Sequence, residues 1–167
     1  MKKFLALLLA LVMVFALAAC GEDAPAESSA PEDGDGAGTA GIAKEDLKVG
    51  FIFLHDENST YDLNFINAAN AAIEELGLTE DQYEFRMNVP EGQECYDAAA
   101  ELADSGCDFI FADSFGHEPF MIQAAQEFDD VQFAHATGTR AHTEGLANYH
   151  NAFASIYEGR YLAGIVA

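Results

Sequence analysis

Positive charge is scarce in this chain. Its 167 residues include 7 Lys and Arg against 29 Asp and Glu, which gives a formal net charge of −22. Nucleic acids and anionic lipid surfaces are bound through lysines and arginines that neutralise phosphates. We therefore exclude both as partners and expect a neutral or cationic small molecule, or another protein.

Cysteine is equally rare, with only Cys20, Cys95 and Cys107. The last two are predicted near opposite ends of one helix, where a disulfide is geometrically doubtful, so buried free thiols are the favoured interpretation. Their redox state stays open, because an exported protein permits a disulfide. Neither has the short spacing to a second cysteine or histidine that a metal site needs. The spacings of seven and eight residues between the later histidines fit no compact metal site either: His135, His142 and His150. We predict no metal.

Two catalytic motifs are missing as well. No Gly-x-Gly-x-x-Gly loop joins the first predicted strand to the first helix to hold the phosphates of a cofactor, since Gly50 is the only glycine over residues 42–76. No Gly-x-Ser-x-Gly elbow follows a strand. We expect neither a cofactor nor an enzyme, and a surface hydrolase that uses Ser114 and His117 is the less favoured alternative.

The N-terminus carries a targeting pattern. Lys2 and Lys3 precede an apolar run over residues 4–19, and small residues then lead to Cys20. Sixteen apolar residues are marginal for a bilayer core of about 30 Å. The pattern is similar to the lipobox of bacterial lipoproteins, in which the cysteine receives a diacylglycerol and becomes the mature N-terminus. Residues 1–19 are thus predicted to be a signal peptide and Cys20 a lipid anchor, which places the protein outside the cytoplasm on the bacterial membrane. Removal of residues 1–19 takes away Lys2 and Lys3 and no acid, so the net charge becomes −24.

The stretch after the predicted anchor is acidic and rich in Ala, Gly, Pro and Ser. It has too little apolar surface to offset the entropy of ordering. Residues 20–45 are predicted to be a flexible spacer that holds a folded domain away from the membrane.

Periodic order begins near residue 46. Apolar runs predict strands over residues 49–54, 83–89, 108–112 and 131–134. Helical spacing separates them, ending at Gly77, at Ser105 with Gly106, and at Phe128. Such alternation predicts an α/β lobe over residues 46–148, a doubly wound parallel sheet covered on both faces. Residues 153–167 show helical spacing up to the end of the chain, from which we expect a fragment of a larger protein.

Two polar loops follow strands of this predicted sheet, at the edge where open parallel sheets bind ligands. Each loop mixes carboxylates or hydroxyls with an aromatic ring, which suits hydrogen bonding and stacking on a flat ligand. Helix capping is the alternative for some of these residues: Ser59, Thr60 or Asp62 in the first loop and Ser114 in the second. The candidate ligand-binding residues are Asp56, Tyr61, Asp62, Asp113, Ser114 and Phe115.

Several segments together resemble the basic membrane protein (BMP) family, the substrate-binding lipoproteins of nucleoside ABC transporters. They are the lipobox, the acidic spacer, residues 48–52 before a Ser/Thr-aromatic-Asp/Asn helix start, and the Tyr-Leu-Ala-Gly helix within residues 153–165. The resemblance covers the whole chain but only the first half of such a protein. It implies a type I periplasmic-binding fold, with residues 149–167 as the hinge crossing and first helix of a truncated second lobe.

The resemblance also implies a function: capture of a purine nucleoside or similar small molecule and its delivery to ABC permease subunits. By position, Tyr61 matches a phenylalanine of the family and Asp62 an asparagine. These departures favour a ligand with more donors or a positive charge. A lipoprotein that senses a ligand for a membrane signalling partner is the alternative from another class. With half of a cleft, we expect weak or no ligand binding by these 167 residues alone.

Overall fold

The computed structural model describes residues 41–167. The predicted signal peptide, Cys20 and nearly all of the predicted spacer lie outside the described residues.

Five strands and five α-helices follow one another along the described chain, with one 3₁₀ turn at Phe115–His117. The strands are β1 Val49–Ile52, β2 Tyr83–Arg86, β3 Phe109–Ala112, β4 Gln132–Ala136 and β5 Tyr149–Ala152. The helices are α1 Thr60–Leu76, α2 Gln93–Asp104, α3 Glu118–Glu127, α4 Ala141–Glu144 and α5 Ile156–Val166.

All strand pairs are parallel, and the sheet has the order β2-β1-β3-β4-β5. Val49 of β1 lies beside Tyr83 of β2 on one side and Phe109 of β3 on the other. The chain therefore changes direction of winding between β1 and β3, which is where ligands bind in open α/β sheets. The predicted α/β parallel sheet is confirmed.

Helices cover both faces of the sheet. The larger core lies between the sheet and the helices α2 and α3, where Ile52, Leu102 and Phe133 are fully buried. A smaller core lies on the α1 side, where Phe53 packs with Ile66 and partly buried phenylalanines of β1 and β2. The faces alternate along each strand, because successive side chains point to opposite sides of a sheet.

The ends of α1 follow from local chemistry. The hydroxyl of Ser59 accepts a bond of 3.3 Å from the backbone N–H of Asp62, which makes Ser59 the N-cap. Gly77 ends the helix in the left-handed conformation, with φ of 62°, a region that glycine enters without a Cβ clash. The predicted end of this helix at Gly77 matches the structure.

Both described cysteines are free and buried, as the sequence favoured. Cys95 lies in the first turn of α2, and Cys107 follows the end of that helix. Burial raises the pKa of Cys95 to about 12 and also raises the pKa of Cys107. Both groups are inert thiols at neutral pH.

Two elements differ from the sequence-based expectation. The strand β5 was not predicted, yet it pairs in parallel with β4 along Tyr149–Ala152, so the sheet extends past the predicted lobe boundary at residue 148. Helix α4 was not predicted either. Helix α5 has the predicted helical form, and all of its side chains are exposed. Assignment of residues 149–167 to a hinge and second lobe stays a prediction. None of the helices among residues 41–167 has the length and apolar character needed to cross a bilayer.

Candidate functional site

Segments from four strands meet at the carboxyl edge of the sheet. The loop after β1 leads to Asp62, and Asp113 directly follows β3. Thr137 directly follows β4, and Phe153 directly follows β5. The edge therefore has two halves, which we call the acidic half (after β1 and β3) and the aromatic half (after β4 and β5).

Asp62 is buried and well supplied with hydrogen-bond donors. Its carboxylate accepts bonds from the backbone N–H of His55 at 2.9 Å and from the hydroxyl of Ser59 at 2.5 Å. The ring Nδ1 of His55 lies 3.2 Å from the second oxygen. Burial acts to raise the pKa of Asp62, but these hydrogen bonds outweigh it and lower the pKa to about 2. Asp62 is thus a charged group that shapes the loop after β1.

Asp113 is fully buried and has few hydrogen-bond donors around its carboxyl group. One oxygen accepts the backbone N–H of Leu54 at 3.2 Å, whereas the other, Oδ2, has no donor. Burial first, and then the negative charge of Asp62 beside it, raise the pKa of Asp113 to about 7. The loops after β1 and β3 do converge, as predicted, but their two acids face each other rather than the solvent.

Ser114 is buried, and Glu91 holds it in place. The Ser114 hydroxyl donates to the carboxylate of Glu91 at 2.5 Å, and the Gly116 N–H donates to the same oxygen at 2.9 Å. These two bonds lower the pKa of Glu91. Glu91 was missed by the sequence reasoning, because it lies before α2, far along the chain from the loop it orders.

The two remaining candidates in the acidic half, Asp56 and Phe115, contact neither Asp62 nor Asp113 through a hydrogen bond. Asp56 accepts bonds from the backbone and side chain of Asn58, at 3.0 and 2.9 Å, and so closes its own turn. The first of these bonds lowers the pKa of Asp56. Phe115 is 67% exposed and packs into no core. Neither residue lines the cavity described next.

A cavity of about 320 Å³ opens where Tyr61 meets the aromatic half. The Tyr61 hydroxyl donates to the backbone carbonyl of Asp113 at 2.8 Å, and its ring lies 5.1 Å from that of Phe65. Burial raises the pKa of Tyr61, so the hydroxyl is neutral at physiological pH. The cavity is lined by Tyr61, Asn64, Phe65, Thr137, Phe153, Ala154 and Ile156. Of the six predicted ligand-binding residues, Tyr61 alone lies there.

Thr137 has an unusual backbone in this cavity wall. Its φ is 65°, in the left-handed region where a β-branched residue is strained. Its hydroxyl is buried without a hydrogen-bond partner. Strained residues with unsatisfied polar atoms concentrate at functional sites. The sequence offered one signal that was not used: the turn residues Thr137 and Gly138 directly follow a strand.

A buried carboxylate, Glu118, fixes the loop after Thr137. One of its oxygens accepts the backbone N–H groups of Thr139 and Arg140, each at 2.8 Å. The same oxygen accepts from Asn151 at 3.3 Å and from Tyr149 at 3.4 Å, both on β5. Glu118 therefore ties α3, the β4–α4 loop and β5 together beneath the cavity.

The buried histidines are structural. The Nε2 atom of His117 lies 2.9 Å from the carbonyl of Val89, and that of His135 lies 2.5 Å from the carbonyl of Ser114. Burial lowers the pKa of both. The Ser114 hydroxyl bonds to Glu91 instead of to His117, so the pairing that a hydrolase needs is not formed. Among residues 41–167, His, Cys, Asp and Glu side chains form no group of three or more that could hold a metal ion.

No protein-family model matches the chain. A purine-binding protein of Brucella abortus is 36% identical over 135 residues, which are 78% of this chain and 36% of that protein. A protein of Haloferax volcanii, provisionally named as an ABC transporter glucose-binding protein, is 26% identical over 139 residues, 83% of this chain and 31% of that protein. The chain thus spans about a third of the length of the curated relatives it matches.

The fold has a counterpart among solved structures. An ABC transporter solute-binding protein from Conexibacter woesei superposes with a TM-score of 0.55 over 64% of this chain and 35% of that one. At 16% identity, this likeness concerns the fold alone. The chain is a relative of the ABC-transporter substrate-binding proteins. The predicted resemblance is thereby confirmed at that level, and the fold is that of part of a periplasmic-binding protein. The names of these substrate-binding relatives describe binding rather than catalysis, in agreement with the expectation of a non-enzymatic protein.

Proposed function

We propose that this protein is an extracytoplasmic solute-binding lipoprotein that captures a purine base or nucleoside for an ABC importer. The observation that carries the proposal is the aromatic cavity at the carboxyl edge, next to the point where the winding of the sheet reverses. Open α/β sheets bind ligands there. Cys20 would serve as the lipid anchor and residues 20–45 as the tether.

The cavity has the chemistry of a ring-binding site. Tyr61 and Phe153 are 44% and 62% exposed, so their rings offer free faces on which a flat heterocycle can stack. The amide nitrogen of Asn64 already donates to the backbone carbonyl of Thr60 at 2.5 Å, so its side-chain oxygen is the group that can accept a hydrogen bond from the edge of a purine. The volume of about 320 Å³ lies at the lower end of the range for small-molecule sites.

Two features narrow the ligand class. The strongly acidic chain disfavours phosphorylated ligands and tolerates neutral or cationic ones. One relative is named for purines and another for glucose. A purine uses the full aromatic face, whereas glucose depends mainly on hydroxyl partners, and the lining of this cavity is mostly apolar. We favour the purine for that reason.

Delivery would follow from binding without covalent chemistry. In this class a ligand shifts the population toward a closed form by contacting both lobes, and that form is recognised by the permease. The lobe described here would supply the aromatic wall and the buried frame beneath it.

Isothermal calorimetry on the full-length protein, with adenosine, adenine and glucose titrated to millimolar concentration, tests the proposal. We expect heat from adenosine or adenine and none from glucose. Tyr61→Ala should weaken purine binding about 10-fold or more, because one stacked ring contributes roughly 1–3 kcal/mol. Phe115→Ala is the matched control: an exposed ring on the same edge, outside the cavity, whose loss should leave affinity unchanged. Binding of glucose alone, or equal losses from both variants, would overturn the proposal.

A further inference from the structure

We propose that Asp62 and Asp113 share one proton, and that Asp113 is a positioning residue that holds the start of α1 against the end of β3 only while this proton is present. The proposal describes regulation of the same site, and it rests on the proposed function only for its effect on a ligand.

The count of hydrogen-bond donors supports such a proton. Asp62 is 1% exposed and Asp113 0% exposed, so neither carboxyl reaches bulk solvent. Asp62 receives the donors of His55 and Ser59. Asp113 receives only the N–H of Leu54, which leaves Oδ2 without a donor. The successive N–H groups of Leu54 and His55 bond to Asp113 Oδ1 and to Asp62 Oδ1, at 3.2 and 2.9 Å, so the two carboxyls lie on the same short stretch of backbone. Two neighbouring carboxyl groups can bond to each other only through a proton.

The pKa shifts of Asp62 and Asp113 agree with one charged and one protonated carboxyl group. The pKa of Asp62 falls to about 2, while burial and the charge of Asp62 raise the pKa of Asp113 to about 7. Two close acids with pKa values driven apart are the pattern of a carboxyl pair that holds a single proton. The proton belongs mainly to Asp113, because the donors around Asp62 stabilise its charge.

The other titratable groups around the pair make their hydrogen bonds to partners other than Asp113 Oδ2, and the Nδ1 atoms of His117 and His135 make none. His55, from the loop after β1, contacts Asp62, and Tyr61 of α1 donates to the Asp113 carbonyl. Glu91 before α2 accepts from Ser114 and Gly116. The remaining neighbours use backbone carbonyls as partners: Cys95 of α2, His117 of the 3₁₀ turn and His135 of β4. None of them donates to Asp113 Oδ2.

The pair is connected to the cavity through Tyr61. This residue precedes Asp62 in α1, and its hydroxyl bonds to the backbone of Asp113. The start of α1 and the end of β3 are thus joined twice, by the shared proton and by the tyrosine. Loss of the proton places two negative charges face to face in a buried setting, where their repulsion is strong. The start of α1 then moves away from β3, and the Tyr61 hydroxyl leaves the backbone carbonyl of Asp113.

Nuclear magnetic resonance of the full chain, without ligand, tests the pair directly. With ¹³C-labelled aspartate carboxyls and tyrosine rings, we expect the Asp113 signal to titrate near pH 7 and the Tyr61 ring signal to move in the same step. In Asp113→Asn, whose amide N–H₂ donates to Asp62 without titrating, the Tyr61 step should vanish. His142→Gln, which removes an exposed imidazole of α4 that contacts neither acid, should keep it.

An Asp113 signal that titrates near its ordinary pKa of about 4 would overturn the proposal, and so would a step near pH 7 that the Tyr61 ring does not follow. Both outcomes are read on the unaltered chain, so they stand even if a variant fails to fold.

A second experiment measures the affinity for adenosine by calorimetry between about pH 6 and pH 8.5. We expect affinity to fall with rising pH by up to about 10-fold per unit above pH 7, as loss of one proton requires, and to be independent of pH over this range in Asp113→Asn. A pH-dependent affinity in that variant would contradict the proposal. Absence of adenosine binding together with a linked Asp113 and Tyr61 titration would reject the proposed function and support the shared proton.

Discussion

The acidic and aromatic halves of the carboxyl edge each contain a buried carboxyl group, and the two groups are satisfied in different ways. Beneath the aromatic half, one oxygen of Glu118 accepts from four donors. In the acidic half, Asp113 accepts from one donor and faces a second acid. The first arrangement depends on donors built into the fold, whereas the second depends on a proton from the solvent.

The difference distinguishes residues that support the fold from residues that can contact a ligand. Buried charges are tolerated where hydrogen bonds replace water, so the Glu118 cluster can hold the β4–α4 loop rigidly under the cavity. In the acidic half the side chains of Asp62, Asp113 and Ser114 are buried, so these three groups are closed to a ligand. Open aromatic faces lie instead at Tyr61 and Phe153, and Tyr61 is the residue common to both halves.

Gly138→Ala should have the largest effect on stability, because a Cβ at this position would overlap the side chains of His135, Glu118 and Asn151. Overpacking of this kind costs about 1–3 kcal/mol, and the free energy of unfolding should fall by about 3 kcal/mol in urea denaturation. Gly159→Ala, in helix α5 where no atom lies within 4 Å, is the control and should not destabilise. Equal stability of the two variants would show that the loop over Glu118 is loosely held.

Glu118→Gln comes next in size. The amide keeps the shape of the side chain but weakens the charge-assisted bonds to Thr139 and Arg140, so we expect a loss of about 1–2 kcal/mol in the free energy of unfolding. Glu101→Gln, at an exposed position on α2, should change it by less than about 0.5 kcal/mol. An unchanged free energy of unfolding in Glu118→Gln would mean that the hydrogen bonds of Glu118 do not hold the aromatic half in place, contrary to the comparison with the acidic half.

Ser59→Ala tests the acidic half through its pH dependence. Ser59 caps α1 and donates to the Asp62 carboxylate, so its loss should cost about 1 kcal/mol at pH 7. The pKa of Asp62 is lowered to about 2, so the stability from its charged form is present above about pH 4 and is lost as the pH falls toward 2. The cost of Ser59→Ala should shrink over that range in urea denaturation. A cost that does not vary with pH would mean that only the backbone cap is lost; Thr60→Ala, one residue along, is the control.

Tyr61→Phe should give the smallest effect on ligand binding. The ring that stacks on the ligand is kept, and the bond to the Asp113 carbonyl is lost, which should weaken adenosine binding about threefold in calorimetry. Tyr157→Phe, on the exposed helix α5, should leave it unchanged. A loss as large as that expected for Tyr61→Ala would mean that the hydroxyl, rather than the ring, carries recognition.

The sheet was predictable because its signals are local. Apolar runs and helical spacing identified β1 to β4 and the three long helices between them. The strand β5 was missed because it is a polar edge strand: Tyr149 points into the core, whereas His150 and Ala152 are exposed. Its pairing with β4 comes from tertiary contacts that four residues of sequence do not reveal.

The candidate site was less predictable. Topology correctly brings the loops after β1 and β3 together, but sequence cannot tell whether an acid in such a loop faces solvent or a second acid. Asp113 and Ser114 turn inward because partners from distant segments, Leu54 and Glu91, meet them there. The roles of Glu118 and Thr137 likewise depend on long-range contacts and on one backbone angle.

The central claim is that the ligand binds on the aromatic half while the acidic half supports it. Chemical-shift mapping with adenosine, on the full chain with labelled aromatic rings and threonine methyls, tests this most directly. We predict shifts at Tyr61, Phe65, Phe153 and Thr137, with none at Phe115. Shifts centred on Phe115, with Tyr61 and Phe153 unmoved, would contradict the account.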